Sequence, residues 1–186
     1  PADTVIDADF NFSRTPVDAV IDLPGIGKTR VFVCHFKSQG AFVDDDDIDA
    51  LADWGDKIRT AYLARAMSGV NQVAKRAAEA GAIYRMFRQT IDADPDAPVV
   101  LLGDLNEDPA SHMISILTQG NRVWSWGSVA ANAIPEAFAY LKHVYKLYDS
   151  FNLVVMQGLT RPNTHGGIIS GSVLDYCVVS NGLNPR

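Results

Sequence analysis

Three apolar segments of the sequence carry polar side chains that could take part in catalysis. VFVCHFKS contains His35, VVLLGDLN contains Asp104 and ends with Asn106, and SVLDYCVVS contains Asp175. A polar group beside a buried strand is costly unless it is hydrogen-bonded, and such groups often serve a reaction. Brought together, an imidazole could donate to an anion, and carboxylates and an amide could hold a divalent cation or orient a water.

The residue types predict how these four side chains would act. Asp175 lies between apolar residues, so it should need a partner, and we expect His35 to be that partner, held by the carboxylate in one orientation. Asp104 and Asn106 alternate on an extended segment and are predicted to project to the same side. There they would suit a divalent cation with a phosphate oxygen, or a carboxylate that orients an attacking water.

The same residues also have purely structural explanations, which the sequence leaves open. A histidine at a strand end can be hydrogen-bonded and inert, and Asp175 can be a structural ion-pair partner. Asp-Leu-Asn-Glu-Asp-Pro can form a turn and a helix cap, because Asp and Asn bond to nearby backbone. Within it, Glu107 and Asp108 are interpreted mainly as loop and capping residues.

Other polar features carry less functional signal. His112 and His143 are interpreted as helix-surface residues. The aspartate run at residues 44–47 lacks the spaced ligands and the glycine of a calcium loop, so it predicts a solvated loop before a helix. Cys34 and Cys177 lie in apolar strand-like runs, where free cysteines act as small hydrophobes, and we expect no disulfide.

The elements that would position these groups alternate between strand and helix. Apolar runs at residues 17–23 and 30–35, separated by Pro-Gly-Ile-Gly, predict an antiparallel hairpin. Helices are predicted from 48 to about 66 and from about 70 to 93, with Ser68 and Gly69 interrupting them. In the second helix a buried face is marked by Ala80, Ile83, Phe87 and Ile91.

Further elements follow toward the C-terminus. They are a strand at 99–102, a short helix with Pro109 or Ala110 in its first turn, helix around 136–147, and a final strand at 172–179. This mixture predicts the α/β (α+β) class, as a layered sandwich of two mixed β-sheets flanked by helices. One such sheet alone would expose an apolar face and unpaired strand edges.

Composition limits the possible functions. The chain has 186 residues, 47% hydrophobic and 20% charged, which fits one soluble globular domain or a large part of one. A formal net charge of -6 argues against binding nucleic acid by charge alone, but it permits a hydrolase that engages phosphate through a metal. No apolar run approaches the roughly 20 residues that a membrane span needs.

Four motifs resemble, in the same order, motifs of the endonuclease/exonuclease/phosphatase superfamily. Its members are metal-dependent phosphoesterases with a deoxyribonuclease-like fold. FSRTPVDAVIDL resembles its Ser-Arg-x-Pro strand, and VFVCHFKSQG its His-Leu-Lys-Ser strand. VVLLGDLNEDP resembles its Gly-Asp-Phe-Asn-Asp strand end, and VLDYCVVSNGL its Ile-Asp-His/Tyr strand. The resemblance spans nearly the whole chain. A helical insertion from about 42 to 73 resembles that of bacterial extracellular-type nucleases. The sequence leaves the localisation open, with a secreted or periplasmic bacterial protein as one alternative.

The resemblance implies a role for each site residue. His35 would be the catalytic histidine that donates to the scissile phosphate or the leaving group, and Asp175 would orient it. Asp104 would activate water or contact the metal, and Asn106 would contact the phosphate. The metal, Mg²⁺ or Mn²⁺, would lie at Asp104 and Asn106. Water would attack phosphorus in line.

The resemblance also implies that residues 1–186 form one partial domain, the C-terminal half of the family fold. The N-terminal part, with a metal-binding Asn and Glu, and the final Ser-Asp-His strand are expected outside it, and the segment alone is expected to be inactive. Expected substrates are phosphoesters: nucleic acid, a nucleotide or a lipid head group. The alternative is an inactive family member that acts as a binding or scaffolding domain.

Overall fold

The computed structural model describes residues 11–40, 43–118, 135–138, 140–153, 161–166 and 171–184. Its strands are β1 (Val17–Leu23), β2 (Gly27–His35), β3 (Val99–Asp104), β4 (Tyr148–Asp149) and β5 (Asp175–Val179). Its helices are α1 (Asp45–Asp49), α2 (Trp54–Ala93), α3 (His112–Thr118), α4 (Leu141–Val144) and α5 (Ser150–Leu153), with 3-10 turns at Glu136–Phe138 and Asn181–Leu183. The predicted α/β class is confirmed.

The five strands form one mixed sheet in the order β1-β2-β3-β5-β4. β1 and β2 are antiparallel, as predicted, and Leu23 pairs with Gly27 across a tight turn. β2 and β3 run parallel, whereas β5 is antiparallel to both β3 and β4. The second sheet of the predicted sandwich is not found among the residues that the structure describes.

Helix α2 makes the crossover that joins the parallel strands β2 and β3, because such strands cannot be connected by a short turn. It is one helix of 40 residues, so the predicted interruption at Ser68 and Gly69 is wrong. A single glycine costs a helix only about 1 kcal/mol, which a long helix tolerates. Asp53 caps its start by accepting from the Asp56 amide at 3.1 Å.

The hydrophobic core lies between α2 and one face of the sheet. Ile83 and Phe87 of α2 are fully buried, and so are Phe32, Leu101 and Val178 of the three central strands. The N-terminal half of α2 differs, because its large apolar side chains are exposed. They are Trp54, Ile58, Tyr62, Leu63, Met67, Val70 and Val73. The sheet therefore holds the second half of the helix but not the first.

The opposite face of the sheet carries apolar side chains that are open to solvent. Val17 is 57% exposed, Val33 44% and Leu102 37%. Val33 and Leu102 each follow a buried residue on their strand, Phe32 and Leu101, and Val17 pairs directly with Val33. The apolar face expected for one sheet of a layered fold is therefore present. None of the helices among the described residues is long and apolar enough to cross a membrane.

Several predicted boundaries differ from the structure. Helix α3 begins at His112 rather than near Pro109, and the Ser111 hydroxyl accepts from the Ile114 amide at its start. The predicted helix at 136–147 is a 3-10 turn followed by the short α4, and residue 139 within it lies outside the described residues. The final strand begins at Asp175, three residues later than predicted. Asp44 caps α1, which confirms the interpretation of the aspartate run as a helix start.

Candidate functional site

His35, Asp104 and Asp175 lie in one row across three neighbouring strands. His35 of β2 pairs in register with Asp104 of β3, and Asp104 pairs in register with Asp175 of β5. Directly paired residues project from the same face of a sheet, with Cβ atoms about 5 Å apart. The row lies at the edge of the sheet where β2 and β3 end and β5 begins.

The carboxylate next to His35 is that of Asp104. The His35 Nε2 lies 3.6 Å from the Asp104 Oδ2, and the two side chains are 48% and 32% exposed. The predicted direct pair of His35 with Asp175 is wrong, because β3 lies between their strands and adjacent strands are about 4.8 Å apart. The imidazole and the Asp104 carboxylate are both accessible to a ligand.

Asp175 is exposed, although the sequence predicted a buried mid-strand carboxylate. It is the first residue of β5, and its backbone amide donates to the Thr164 hydroxyl at 3.0 Å. Because it begins the strand, its side chain reaches solvent and needs no buried partner. Asp104 and Asp175 thus present two carboxylates side by side.

Gly103 allows β2 and β3 to approach closely next to this row. Its φ is +132°, and an added Cβ atom would lie 1.9 Å from the Cys34 carbonyl oxygen. No side chain can be accommodated at that distance, so glycine is required there. The glycine of the Gly-Asp-Leu-Asn motif therefore has a structural reason that is independent of chemistry.

Asn106 lies in the turn that follows β3 and has a φ of 52°, a conformation that asparagine tolerates better than most residues. Its amide N–H donates to the Asp104 Oδ1 at 2.8 Å, and its side-chain Nδ2 donates to the Phe36 carbonyl at 3.0 Å. The prediction that strand alternation places Asp104 and Asn106 on one side is wrong, because β3 ends at Asp104. A turn brings them together instead.

Glu107 is buried and forms an ion pair with Arg76 of α2, with side chains 9% and 6% exposed. Glu107 lies in the loop after β3, as predicted, but its burial and its partner were not predicted. Sequence reasoning also missed Arg76 and the fully buried Glu79. A signal was available, since both precede Ile83 and Phe87 at helical spacings and so fall on the buried face of α2.

A shallow cavity of about 320 Å³ lies beside Asp175. Phe151, Arg161 and Cys177 contribute to its lining. The Arg161 guanidinium forms an ion pair with Asp149 and lies 5.3 Å from the centre of the Phe151 ring. The cavity is mostly apolar and open, so it could hold an uncharged part of a molecule bound at the row.

Cys34 and Tyr176 are not suited to act as nucleophiles at neutral pH. Burial, with the nearby Glu79 carboxylate, raises the pKa of Cys34 to about 12. Burial also raises the pKa of Tyr176, whose hydroxyl donates to the Glu107 carbonyl at 2.7 Å. Cys34 and Cys177 are both free thiols, in agreement with the prediction. Chemistry at this site would therefore use His35 and the two carboxylates.

The row has the donors that a hard divalent cation uses. Mg²⁺ commonly binds through one or two carboxylates and keeps several waters, and Asp104 and Asp175 could supply those carboxylates. Asn106, predicted as a metal ligand with Asp104, is buried, and its side chain is hydrogen-bonded to the Phe36 carbonyl. The part of the chain that the structure describes contains no group of three or more His, Cys, Asp or Glu side chains arranged to hold a metal.

No protein-family model matches the chain, and no curated protein is significantly similar to it. The resemblance described above therefore depends on the four motifs, and the activity that it implies is a proposal.

Proposed function

We propose that this chain belongs to a divalent-metal-dependent phosphoester hydrolase of the endonuclease/exonuclease/phosphatase type. The observation that carries the proposal is the in-register row of His35, Asp104 and Asp175 at one edge of the sheet. The row combines a proton donor and two carboxylates, and it is open to solvent. Three of the four motifs that resemble the family supply the three members of the row and Asn106.

Charge supports the dependence on a metal. Two neighbouring carboxylates repel each other and repel a phosphoester, so an anionic substrate would bind poorly at Asp104 and Asp175 alone. A bound Mg²⁺ or Mn²⁺ would offset this charge and stabilise the negative charge that develops on the phosphoryl oxygens. The Asp104 and Asp175 carboxylates therefore favour a bound cation, and with that cation the row can accept an anionic substrate.

The protein side chains would divide the remaining work. His35 would donate a proton or a hydrogen bond to the phosphoryl or leaving oxygen, and Asp104 would orient the attacking water or bind the metal. Asp175 would bind the metal with Asp104, rather than orient His35. One of the two Asn106 Nδ2–H groups donates to the Phe36 carbonyl, and the other could donate to the phosphate.

The cavity beside Asp175 would receive the group esterified to the phosphate. Its apolar lining favours an uncharged group such as a nucleoside or a glycerol-lipid fragment. With the net charge of -6, this favours nucleotides and lipid head groups over duplex DNA as substrates. All three are phosphoesters, so the first test uses a generic one.

The test measures hydrolysis of bis(4-nitrophenyl) phosphate by the full-length protein with Mg²⁺, with Mn²⁺ and with EDTA. His35→Ala and Asp104→Asn should each lower kcat by about 100-fold or more, since general acid-base groups contribute 10²–10⁴-fold. The matched controls are His143→Ala, an exposed histidine on α4, and Asp22→Asn, an exposed aspartate on β1, and both should keep full activity.

Two results would contradict the proposal. One is undiminished hydrolysis in both His35→Ala and Asp104→Asn. The other is a wild-type protein that neither hydrolyses the ester nor binds Mn²⁺, as measured by calorimetry. The second result would favour the alternative of a binding or scaffolding domain.

A further inference from the structure

A buried polar network connects helix α2 to the segments that follow β2 and β3. Arg76 contacts the Glu107 carboxylate through Nε, and its Nη1 donates to the Ser38 carbonyl at 3.1 Å. Glu107 follows Asn106, whereas Ser38 follows His35 by three residues. One guanidinium thus bridges the two chain segments that leave the row.

Glu79 joins the same network one turn further along α2. One of its carboxylate oxygens accepts from the Lys37 amide at 2.7 Å, and the other accepts from the Ser13 amide at 2.8 Å. It is fully buried. Because each of its oxygens accepts from a backbone N–H group, the Glu79 carboxylate fixes the segments at Ser13 and Lys37 relative to α2.

Further hydrogen bonds carry this constraint to the site residues. The Gln39 side chain donates to the Asn106 carbonyl at 2.7 Å, and the Asn106 side chain donates to the Phe36 carbonyl. The Asn106 amide in turn donates to the Asp104 carboxylate. The orientation of that carboxylate therefore depends on the turn that Arg76 and Glu107 hold.

The burial of the Arg76 and Glu107 ion pair is not by itself an argument that the pair stabilises the fold. A buried ion pair loses much of its attraction to the cost of removing both charges from water, and an apolar pair of similar size often stabilises a fold as well. What an apolar pair cannot do is bond to the Ser38 carbonyl or set the direction of a turn. The geometry points to a role in position rather than in stability.

We propose that Arg76, Glu79 and Glu107 are positioning residues, which hold the segments after β2 and β3 so that His35 and Asp104 keep their relative geometry. The activity readout below rests on the proposed function. The structural readout, amide hydrogen exchange, does not.

The test replaces the ion pair by an apolar pair, Arg76→Met/Glu107→Leu, in the full-length protein. The double variant should melt within a few degrees of the wild type, because no charge is left unpaired. Its kcat should fall by about 100-fold, the usual effect of misplacing reacting groups by about 1 Å, whereas KM should change little. Exchange of the Asn106 amide should accelerate about tenfold, with the Leu101 amide unchanged.

The control variant is Ile91→Ala, which opens a cavity at the far end of α2, about 22 Å along the helix from Arg76. It should lower the melting temperature yet leave kcat and the exchange of the Asn106 amide unchanged. If the double variant does not fold, Arg76→Lys decides. It keeps the charge beside Glu107 but cannot also reach Ser38, and it should change both readouts in the same direction.

Unchanged kcat and unchanged Asn106 exchange in a folded Arg76→Met/Glu107→Leu variant would overturn the proposal. Equal changes in Ile91→Ala would also overturn it, because they would show a general response to lost stability. A wild-type protein without phosphoesterase activity refutes the proposed function only. Amide exchange then still decides whether the three residues position the turn.

Discussion

Replacing Gly103 by alanine tests the close contact on which the site depends. The added Cβ atom would lie 1.9 Å from the Cys34 carbonyl oxygen, and that atom belongs to the backbone of the neighbouring strand. A side-chain neighbour could rotate away, but a strand carbonyl cannot. Strands β2 and β3 must therefore separate next to the His35 and Asp104 pair.

The expected loss of stability has two parts. Holding alanine at a φ of +132° costs about 1–3 kcal/mol. Separating the strands weakens hydrogen bonds worth about 1 kcal/mol each, including the 2.9 Å bond from the Phe36 amide to the Asp104 carbonyl. Together these give about 3–5 kcal/mol, which corresponds to a melting temperature lower by roughly 6–20 °C for a chain of this size.

Urea unfolding followed by circular dichroism measures this loss, and Gly69→Ala is the matched control. Gly69 lies within α2, and an added Cβ atom there would meet nothing within 4 Å. Alanine should therefore stabilise the helix by about 1 kcal/mol. An unchanged unfolding midpoint in Gly103→Ala, or equal losses in both variants, would refute the assignment of Gly103 to a close strand contact.

Two further predictions concern the core and the thiols. Ile83→Ala should lower the free energy of unfolding by about 2–5 kcal/mol, whereas Leu63→Ala on the exposed half of α2 should change it by less than about 0.5 kcal/mol, and urea unfolding of both variants checks this. Burial raises the pKa of Cys34 from 9.0 to about 12, so its contribution to stability is complete below pH 9 and is lost as the pH rises toward 12. At pH 8 the thiol reagent DTNB should therefore label the partly exposed Cys177 in the native protein but not Cys34, and labelling of native Cys34 would contradict this.

Local patterns in the sequence were sufficient to predict most elements. Alternation of apolar residues and a Pro-Gly-Ile-Gly turn predicted the hairpin, and β1 has the predicted bounds, Val17–Leu23. The break at Ser68 and Gly69 was predicted wrongly because the helix propensity of single residues does not include the stability that a long helix gains from its length. Adding a residue to an existing helix is much easier than starting a new one.

The residues of the candidate site were selected from the sequence, but their contacts could not be predicted. His35, Asp104 and Asp175 were recognisable because each interrupts an apolar segment. Which carboxylate lies beside His35 depends on strand order, and the residues of a strand do not encode which strand will be its neighbour. The ion pair of Glu107 could not be predicted for a similar reason, since its partner Arg76 lies 31 residues earlier on a helix.

The topology explains why residues so far apart in sequence meet at one edge. β2 and β3 are parallel, so both end at the same edge of the sheet, and this brings His35 and Asp104 together. β5 runs antiparallel to β3, so its first residue, rather than its last, arrives at that edge. Asp175 therefore has to begin its strand in order to join the row. The parallel pair also requires the α2 crossover, and the helix that makes the connection supplies Arg76 and Glu79 to the segments that it joins. Helix α2 therefore both connects the two parallel strands and contacts the segments that leave their ends.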